Sequence, residues 1–244
     1  MKHEKFVIMN NFSDNSQYRP VAEIAARTTD SMLRKVYFWM CGALAITGLT
    51  AYYVASSQEL LQLILGSRSS LFLLIIIELG LVIGLSAAIG RMSATTATLM
   101  FILYSVVNGA TLSVIFLAYS TTAIATTFFV TAGTFAAMAV YGAVTKKDLT
   151  RMGSLLVMAL LGLIIAMVVN IFLKSDTMSF MISCVGVVIF VGLTAYDSQK
   201  IKALLGGAEE NEMTQKIAVL GALTLYLDFI NLFLNLLRIF GSRR

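Results

Sequence analysis

Residues 217–240 read IAVLGALTLYLDFINLFLNLLRIF, the last long hydrophobic stretch of the chain. At a rise of about 1.5 Å per residue, a helix of this length crosses a bilayer core about 30 Å thick. Asp228 lies near its centre, where a carboxylate is costly, so it is a candidate functional residue. Polar residues recur at steps of four and three along one face of this helix, namely Thr224, Asp228, Asn231, Asn235 and Arg238. Because the rest of the helix is apolar, we expect this stripe to face protein or water.

The composition of the whole chain is that of a membrane protein. Of its 244 residues, 58% are hydrophobic and 13% are charged, whereas soluble domains carry about 25% charged residues. The apolar segments are long and continuous, which predicts an all-α, polytopic membrane fold. The net charge of +5 is spread over loops and termini without interleaved aromatics, so no nucleic-acid partner is expected. The lipid bilayer is the expected surrounding.

Seven hydrophobic segments predict seven transmembrane helices. They span residues 36–56, 71–89, 99–119, 122–144, 153–173, 178–201 and 217–240, after a polar N-terminal tail of residues 1–35. Residues 36–244 therefore form one seven-helix domain, and no internal repeat is evident in the sequence. Most Lys and Arg residues lie in the tail and in alternate loops, which predicts a cytoplasmic N-terminus. Arg238 and the C-terminal arginines fit this rule only if the last segment re-enters, but its length favours seven full spans.

Two further acidic residues lie within predicted helices. Asp197 ends the sixth segment in the motif LTAYDSQKI, and Glu78 lies in the middle of the second. Two carboxyl groups that meet in a low-dielectric site share one proton more readily than they both ionise, so such a pair can respond to pH. When ionised, the pair Asp197 and Asp228 offers the hard oxygen ligands that Ca²⁺ prefers. Glu78 and the amides of Asn231 and Asn235 provide further oxygens for a cation path.

The two aspartate motifs make the chain similar to a known family. Four stretches carry the resemblance: GLTAYDSQKI (192–201), LTLYLDFINLFLNLLRIFG (223–241), IELGLVIGLSAAIGRMS (77–93) and NGATLSVIFLAY (108–119). With them the chain resembles a bacterial-type member of the Bax inhibitor family, also called the transmembrane Bax-inhibitor-motif proteins. The resemblance implies a last helix wrapped by the other six and a pH-sensitive calcium leak. It also implies that Asp197 and Asp228 are a hydrogen-bonded pH sensor, and that Glu78 and Arg91 line or latch the pore.

Several alternatives stay open. In the calcium-leak interpretation Ca²⁺ is the transported ion and protons control its passage. The chain is then expected to be a protein of the bacterial inner membrane, without a cofactor and without enzymatic activity. A proton/cation exchanger would use the same residues. An interaction protein would bind a membrane partner and modulate a protease or a stress pathway. An intramembrane aspartyl protease also pairs two aspartates, but Asp228 lacks the glycine-flanked motif of such enzymes. Finally, the polar groups could serve only to hold helices together.

Overall fold

The computed structural model describes residues 18–206 and 211–241, and this part of the chain is helical without strands. The helices are α1 (Tyr18–Ser56), α2 (Gln58–Leu65), α3 (Arg68–Ala88), α4 (Ala94–Leu112), α5 (Ile115–Ala118), α6 (Thr121–Val144), α7 (Thr150–Leu173), α8 (Asp176–Leu205) and α9 (Glu212–Phe240). Seven of them are long and apolar enough to cross a membrane. The prediction of an all-α fold with seven transmembrane helices is therefore confirmed.

Short polar side chains fix where most of these helices begin. Each of six helices has a serine or an asparagine at its N-cap whose side chain accepts a backbone N–H, namely Ser57, Ser67, Ser93, Ser120, Ser175 and Asn211. Such a cap satisfies one of the N–H groups that the first turn leaves unpaired. The caps lie outside the hydrophobic runs, so several helices extend beyond the segments that hydropathy predicts.

The structure differs from the predicted segments in three places. The short helix α2 was not predicted. The third predicted segment is divided into α4 and α5 near Ser113, whose hydroxyl donates to the Ala110 carbonyl at 2.7 Å and so competes with the helical backbone bonds. From Tyr18 onward, the predicted tail is helical and continuous with the first span, which begins at Thr29. Residues 1–17 of that tail lie outside the described residues.

Helix α9 lies at the centre of the bundle. In its most apolar stretch 67% of the residues are buried, against 6% in α3 and in α7. Its main neighbours are α1, α4, α6 and α8, whereas α3 packs mainly on α4 and α7 on α8. The last helix is thus central as predicted, with four helices in direct contact and two in an outer position.

The same packing pattern occurs twice around α9. In the group α1, α3 and α4, the first and second helices both pack on the third, and the first and third contact α9. The group α6, α7 and α8 repeats this arrangement. Because three spans reverse the direction of the chain, the two groups have opposite orientations in the membrane. The repeat therefore lies in the contacts between helices, and the amino-acid sequence shows no matching repeat.

The outer surface of the bundle is apolar. Large hydrophobic side chains are strongly exposed on the outward faces of α6 and α7, among them Phe129 of α6 at 74% and Phe172 and Ile165 of α7 at 81% and 65%. A soluble protein rarely exposes contiguous apolar surface of this extent. Lipid tails therefore form the natural surrounding of these helices.

Candidate functional site

Two neighbouring residues of the central helix point to opposite faces. Tyr226 and Asp228 are two positions apart on α9, which at 3.6 residues per turn separates their side chains by about 200°. Tyr226 faces α1 and α4, and Asp228 faces α8. The central helix therefore carries two separate polar clusters, one toward each three-helix group.

The aspartate cluster lies between α8 and α9 and comprises Asp197, Asp228, Asn231 and Asn235. Asp228 is only 5% exposed, and Asp197 is half-buried. Their carboxyl groups are in hydrogen-bonding contact. A carboxylate has no proton to donate, so a hydrogen bond between two carboxyl groups requires a proton on one of them. The pair is thus built to hold one proton between two acids.

One oxygen of this pair has no conventional hydrogen-bond donor. Asp228 Oδ2 is buried and accepts no hydrogen bond from an N–H or a donor hydroxyl in the described part of the chain. An unsatisfied buried oxygen is costly, more so if it carries charge. A proton or a cation is what would satisfy it, because both bring positive charge to the oxygen without requiring a donor side chain.

The asparagines continue the aspartate cluster along α9. Asn231 and Asn235 donate their amide N–H groups to carbonyls of their own helix, at 2.8 Å and 2.7 Å. Asn235 Oδ1 is buried and has no hydrogen-bond partner among the residues that the structure describes. It lies against Gly186 of α8, where an added Cβ would stand 2.7 Å from it. Gly186 therefore gives the amide oxygen its space. At the end of the stripe, exposed Arg238 donates to the Ser183 hydroxyl at 3.4 Å.

A lysine that the sequence did not single out lies beside the aspartates. Lys200 follows Asp197 by three positions on α8 and interacts with it electrostatically. Its ammonium group also lies 5.7 Å from the centre of the Tyr196 ring. Arg91, the predicted latch, is exposed in the turn after α3 and forms no ion pair with the residues that the structure describes. Its latch role stays a prediction.

The tyrosine cluster lies on the opposite face of α9, between α1, α3 and α4. It comprises Thr47, Glu78, Asn108, Thr111 and Tyr226. The fully buried Tyr226 hydroxyl lies 2.7 Å from Thr47 Oγ1 and donates to Asn108 Oδ1 at 3.1 Å. Thr47 Oγ1 also lies 3.0 Å from the Ser105 carbonyl, and because each hydroxyl carries one proton, the two hydroxyls make two of these three hydrogen bonds at a time. These bonds tie α9 to α1 and α4 through neutral groups.

Glu78 belongs with the tyrosine cluster. This half-buried residue of α3 lies against the side chains of Asn108 and Thr111. Its Oε1 is buried and has no hydrogen-bond partner within residues 18–206 and 211–241. The sequence predicts Glu78 on one cation path with the two aspartates. The structure brings Asp197 and Asp228 together but places Glu78 across the central helix from them. Helical spacing could not reveal this, because Glu78 lies on another helix.

The chemistry available here suits protons and transient cations. Ca²⁺ takes six to eight oxygen ligands in a resident site, and the described residues contain no group of three or more acidic, histidine or cysteine side chains that could hold a metal ion. The two carboxyl groups of the aspartate pair supply at most four such oxygens. The sequence did not indicate Tyr226 or Thr47, because buried tyrosines and threonines occur throughout apolar helices.

Comparisons with known proteins agree with the motifs. Residues 29–244 match the family described as inhibitor of apoptosis-promoting Bax1. The chain is 49% identical over 214 residues to inner membrane protein YbhL of Escherichia coli K12, covering 87% of this chain and 92% of that protein. It is also 46% identical to an uncharacterized protein of Borreliella burgdorferi, covering 88% and 93%. An uncharacterized protein of Caulobacter vibrioides is 36% identical, covering 97% and 100%.

Proposed function

Because the chain belongs to the Bax inhibitor family of membrane proteins, we propose that it is a pH-sensitive calcium leak gated by Asp197 and Asp228. The observation that carries this proposal is the contact between two carboxyl groups inside the membrane-spanning bundle, one of them 5% exposed. Similarity to the Escherichia coli inner membrane protein YbhL supports a place in the bacterial inner membrane.

The gate works through repulsion between like charges. One shared proton removes one of the two negative charges, so α8 and α9 can remain packed together. When that proton leaves, two unit charges about 4 Å apart repel by about 4 kcal/mol at an effective dielectric constant near 20, an upper-end figure because water can enter. Even part of this energy shifts a two-state equilibrium strongly.

Calcium enters this scheme as a competitor of the proton. A divalent cation at the pair neutralises both carboxylates and offers the buried Asp228 Oδ2 the positive charge that it lacks. The amide oxygens of Asn231 and Asn235 lie further along the same stripe of α9 and provide neutral ligands. This ligand set is too small to retain Ca²⁺ firmly, which suits passage rather than storage.

The first experiment asks whether the protein conducts calcium at all. Purified protein is placed in vesicles loaded with a calcium-sensitive dye, and entry is followed from about pH 5 to about pH 8. We expect calcium entry that changes with pH, and vesicles without protein as the baseline. Entry at the baseline rate at every pH would contradict the leak and favour a role as a membrane interaction protein.

A proton/cation exchanger is the second candidate. It is favoured by the same hydrogen bond between the carboxyl groups, because a cation that binds there must displace its proton. A proton-sensitive dye in the same vesicles distinguishes the two: an exchanger moves protons in fixed proportion to calcium, and a leak does not. Neither function requires an enzymatic step.

The proposed orientation has a cytoplasmic N-terminus and a C-terminus on the opposite side. Helix α9 runs without interruption from Glu212 to Phe240, which supports a full crossing rather than a re-entrant segment. A reporter fused after Arg244 should therefore report the side opposite to one fused before Met1. Two reporters on the same side would contradict the seven-span orientation.

A further inference from the structure

A basic groove lies at one end of the bundle, where α6 passes into α7. Two adjoining cavities of about 580 Å³ and about 330 Å³ share Lys146 and Gln199 in their walls. The lysine groove is defined by the four ammonium groups that line them, those of Lys146, Lys147, Lys200 and Lys202. All four side chains are exposed, so they are accessible to a ligand from the membrane surface.

Gln199 holds the two sides of the lysine groove together. Its Oε1 accepts the Leu149 N–H at 2.9 Å, and its Nε2 donates to the Lys147 carbonyl at 2.8 Å. On the same side, Lys202 donates to the Ala143 carbonyl at 2.7 Å. These bonds fasten the loop after α6 to α8, so lysines from distant parts of the chain are held around one space.

The groove keeps an excess of positive charge. Two carboxylates, Asp30 and Asp148, also line it, and Lys200 interacts with a third acid, Asp197. The four lysines still outnumber these acids. Asp148 is already engaged, because Thr150 donates to its Oδ1 from the hydroxyl at 2.6 Å and from the backbone at 2.9 Å. The surplus of ammonium groups makes the space suitable for an anion.

Val144 lines the same cavity as Lys146 and Lys202, and further exposed apolar side chains lie close in sequence to the groove lysines. Val144 at the end of α6 is 71% exposed, Tyr141 one turn earlier is 45% exposed, and Leu204 of α8 is 53% exposed. A soluble anion would gain nothing from this surface. A molecule with a negative headgroup and hydrocarbon tails would use both parts, with its headgroup on the lysines and its tails along the ends of α6 and α8.

We propose that the lysine groove binds the headgroup phosphate of an anionic phospholipid, with the acyl chains lying on the exposed apolar ends of α6 and α8. Basic pockets between transmembrane helices at the membrane surface are a general means of recognising such lipids. The phosphate oxygens accept charge-assisted hydrogen bonds from the ammonium groups. The inference is independent of calcium flux, because it concerns binding alone.

The test compares two charge-matched double variants. Lys146→Gln/Lys200→Gln removes two ammonium groups from the groove, and Lys174→Gln/Lys216→Gln removes two elsewhere. Each protein is placed in phosphatidylcholine nanodiscs and titrated with phosphatidylglycerol, and bound lipid is counted by native mass spectrometry. Wild type and the control variant should bind phosphatidylglycerol alike. The groove variant should bind about 30-fold more weakly, as expected from roughly 1 kcal/mol per lysine near an anionic lipid.

Two further arms define the ligand and guard against misfolding. Inorganic phosphate and glycerol 3-phosphate should not displace the lipid, because they lack the acyl chains that use the apolar surface. Equal phosphatidylglycerol binding by both double variants would overturn the proposal, and so would complete displacement by either soluble phosphate. If the groove variant melts below the control in pure phosphatidylcholine, Lys146→Gln alone decides the matter, since this exposed side chain makes no hydrogen bond within the described residues.

Discussion

The two faces of α9 are held against the neighbouring helices by different kinds of polar contact. In the tyrosine cluster the central helix is tied to α1 and α4 by neutral hydroxyl and amide groups, with the Tyr226 hydroxyl within hydrogen-bonding distance of both Thr47 and Asn108. The acid of this cluster, Glu78, belongs to α3 and takes no part in those two contacts. The aspartate cluster ties the central helix to α8 through two acids that require a proton to hydrogen-bond at all. Hydrogen bonds between hydroxyl and amide groups do not change over the physiological pH range, whereas a hydrogen bond between two acids depends on their shared proton.

This difference assigns different tasks to the two three-helix groups. The group α1, α3 and α4 is expected to hold α9 at a fixed position over the physiological pH range. The group α6, α7 and α8 is expected to change its contact with α9 when the shared proton leaves. The variants below therefore ask whether damage to one face lowers stability and damage to the other changes the response to pH.

The largest expected effect concerns one glycine in each of the two three-helix groups, Gly109 and Gly186. A Cβ at Gly109 of α4 would stand 2.6 Å from the Thr47 backbone oxygen of α1, so the two helices would have to separate. Gly109→Ala should destabilise the protein by roughly 3 kcal/mol, the upper end for overpacking. The matched variant Gly186→Ala should cost about 1 kcal/mol, because it meets only the end of the Asn235 side chain. Thermal melting in detergent measures both.

Equal melting temperatures for these two glycine variants would contradict the distinction between a clash with the backbone of α1 and a clash with the end of the Asn235 side chain. It would mean that α4 and α1 can separate as easily as a side chain can turn. The distinction would then lose its basis in packing.

A smaller loss is expected when the neutral network loses one hydroxyl. Tyr226→Phe leaves Asn108 Oδ1 without the donor that it has in the structure, and a buried unpaired acceptor costs about 1 to 3 kcal/mol. The control is Tyr104→Phe, because the Tyr104 hydroxyl makes no hydrogen bond within the described residues. Both variants keep the edge-on contact between the rings at positions 104 and 226, whose centres lie 5.7 Å apart. Denaturation should separate the two variants, with Tyr226→Phe the less stable.

The response of calcium entry to pH should survive in Tyr226→Phe. A pH profile as flat as that expected for the aspartate variants would show that the tyrosine cluster takes part in gating. The assignment of one task to each face would then be wrong.

Glu78 tests whether the ion path includes the tyrosine cluster. If its unpaired Oε1 contacts the passing ion, Glu78→Gln should lower calcium entry several-fold. The midpoint of the pH response should not move, because Glu78 lies across α9 from both aspartates. Dye-reported entry over the pH range measures both quantities. Unchanged entry together with a lower melting temperature would assign Glu78 a structural role only.

The smallest effect is expected from an acid outside the membrane. Hydrogen bonds from the hydroxyl and the N–H of Thr150 lower the pKa of exposed Asp148 below its usual range. Because the folded-state pKa is the lower one, its stabilisation is present above the unfolded pKa of about 4 and is lost as the pH falls through the folded value. Asp148→Asn should therefore show a slightly smaller drop in melting temperature between neutral and strongly acidic buffer. An unchanged drop would contradict this.

The sequence predicts the helices better than the contacts between them. Hydropathy alone indicates seven spans, and the step of four and three residues along 224–238 correctly indicates a face of α9 that packs on protein. The break near Ser113 and the short helix α2 depend on caps and turns that hydropathy does not record. The position of Glu78 beside Asn108 depends on how α3 packs against α4, and helical periodicity contains no information about that.

The motif around Asp197 shows the same limit at the level of single residues. Asp197 was predicted as a site residue from its charge within an apolar segment. Gln199 and Lys200 follow Asp197 in the same motif. Only the folded chain shows that Gln199 hydrogen-bonds the loop after α6 and that Lys200 interacts with the Asp197 carboxyl group. Their roles depend on the partners that folding brings near.

The most direct test of the aspartate gate is the pH profile of calcium entry into dye-loaded vesicles, compared for wild type, Asp197→Asn, Asp228→Asn and the double variant. One amide and one acid cannot share a titrating proton as two acids do, so each single variant should flatten the profile between about pH 5 and about pH 8. The double variant should add little, because the pair titrates as a unit. A wild-type pH profile in both single variants would contradict the account and leave Asp197 and Asp228 as groups that only hold α8 against α9.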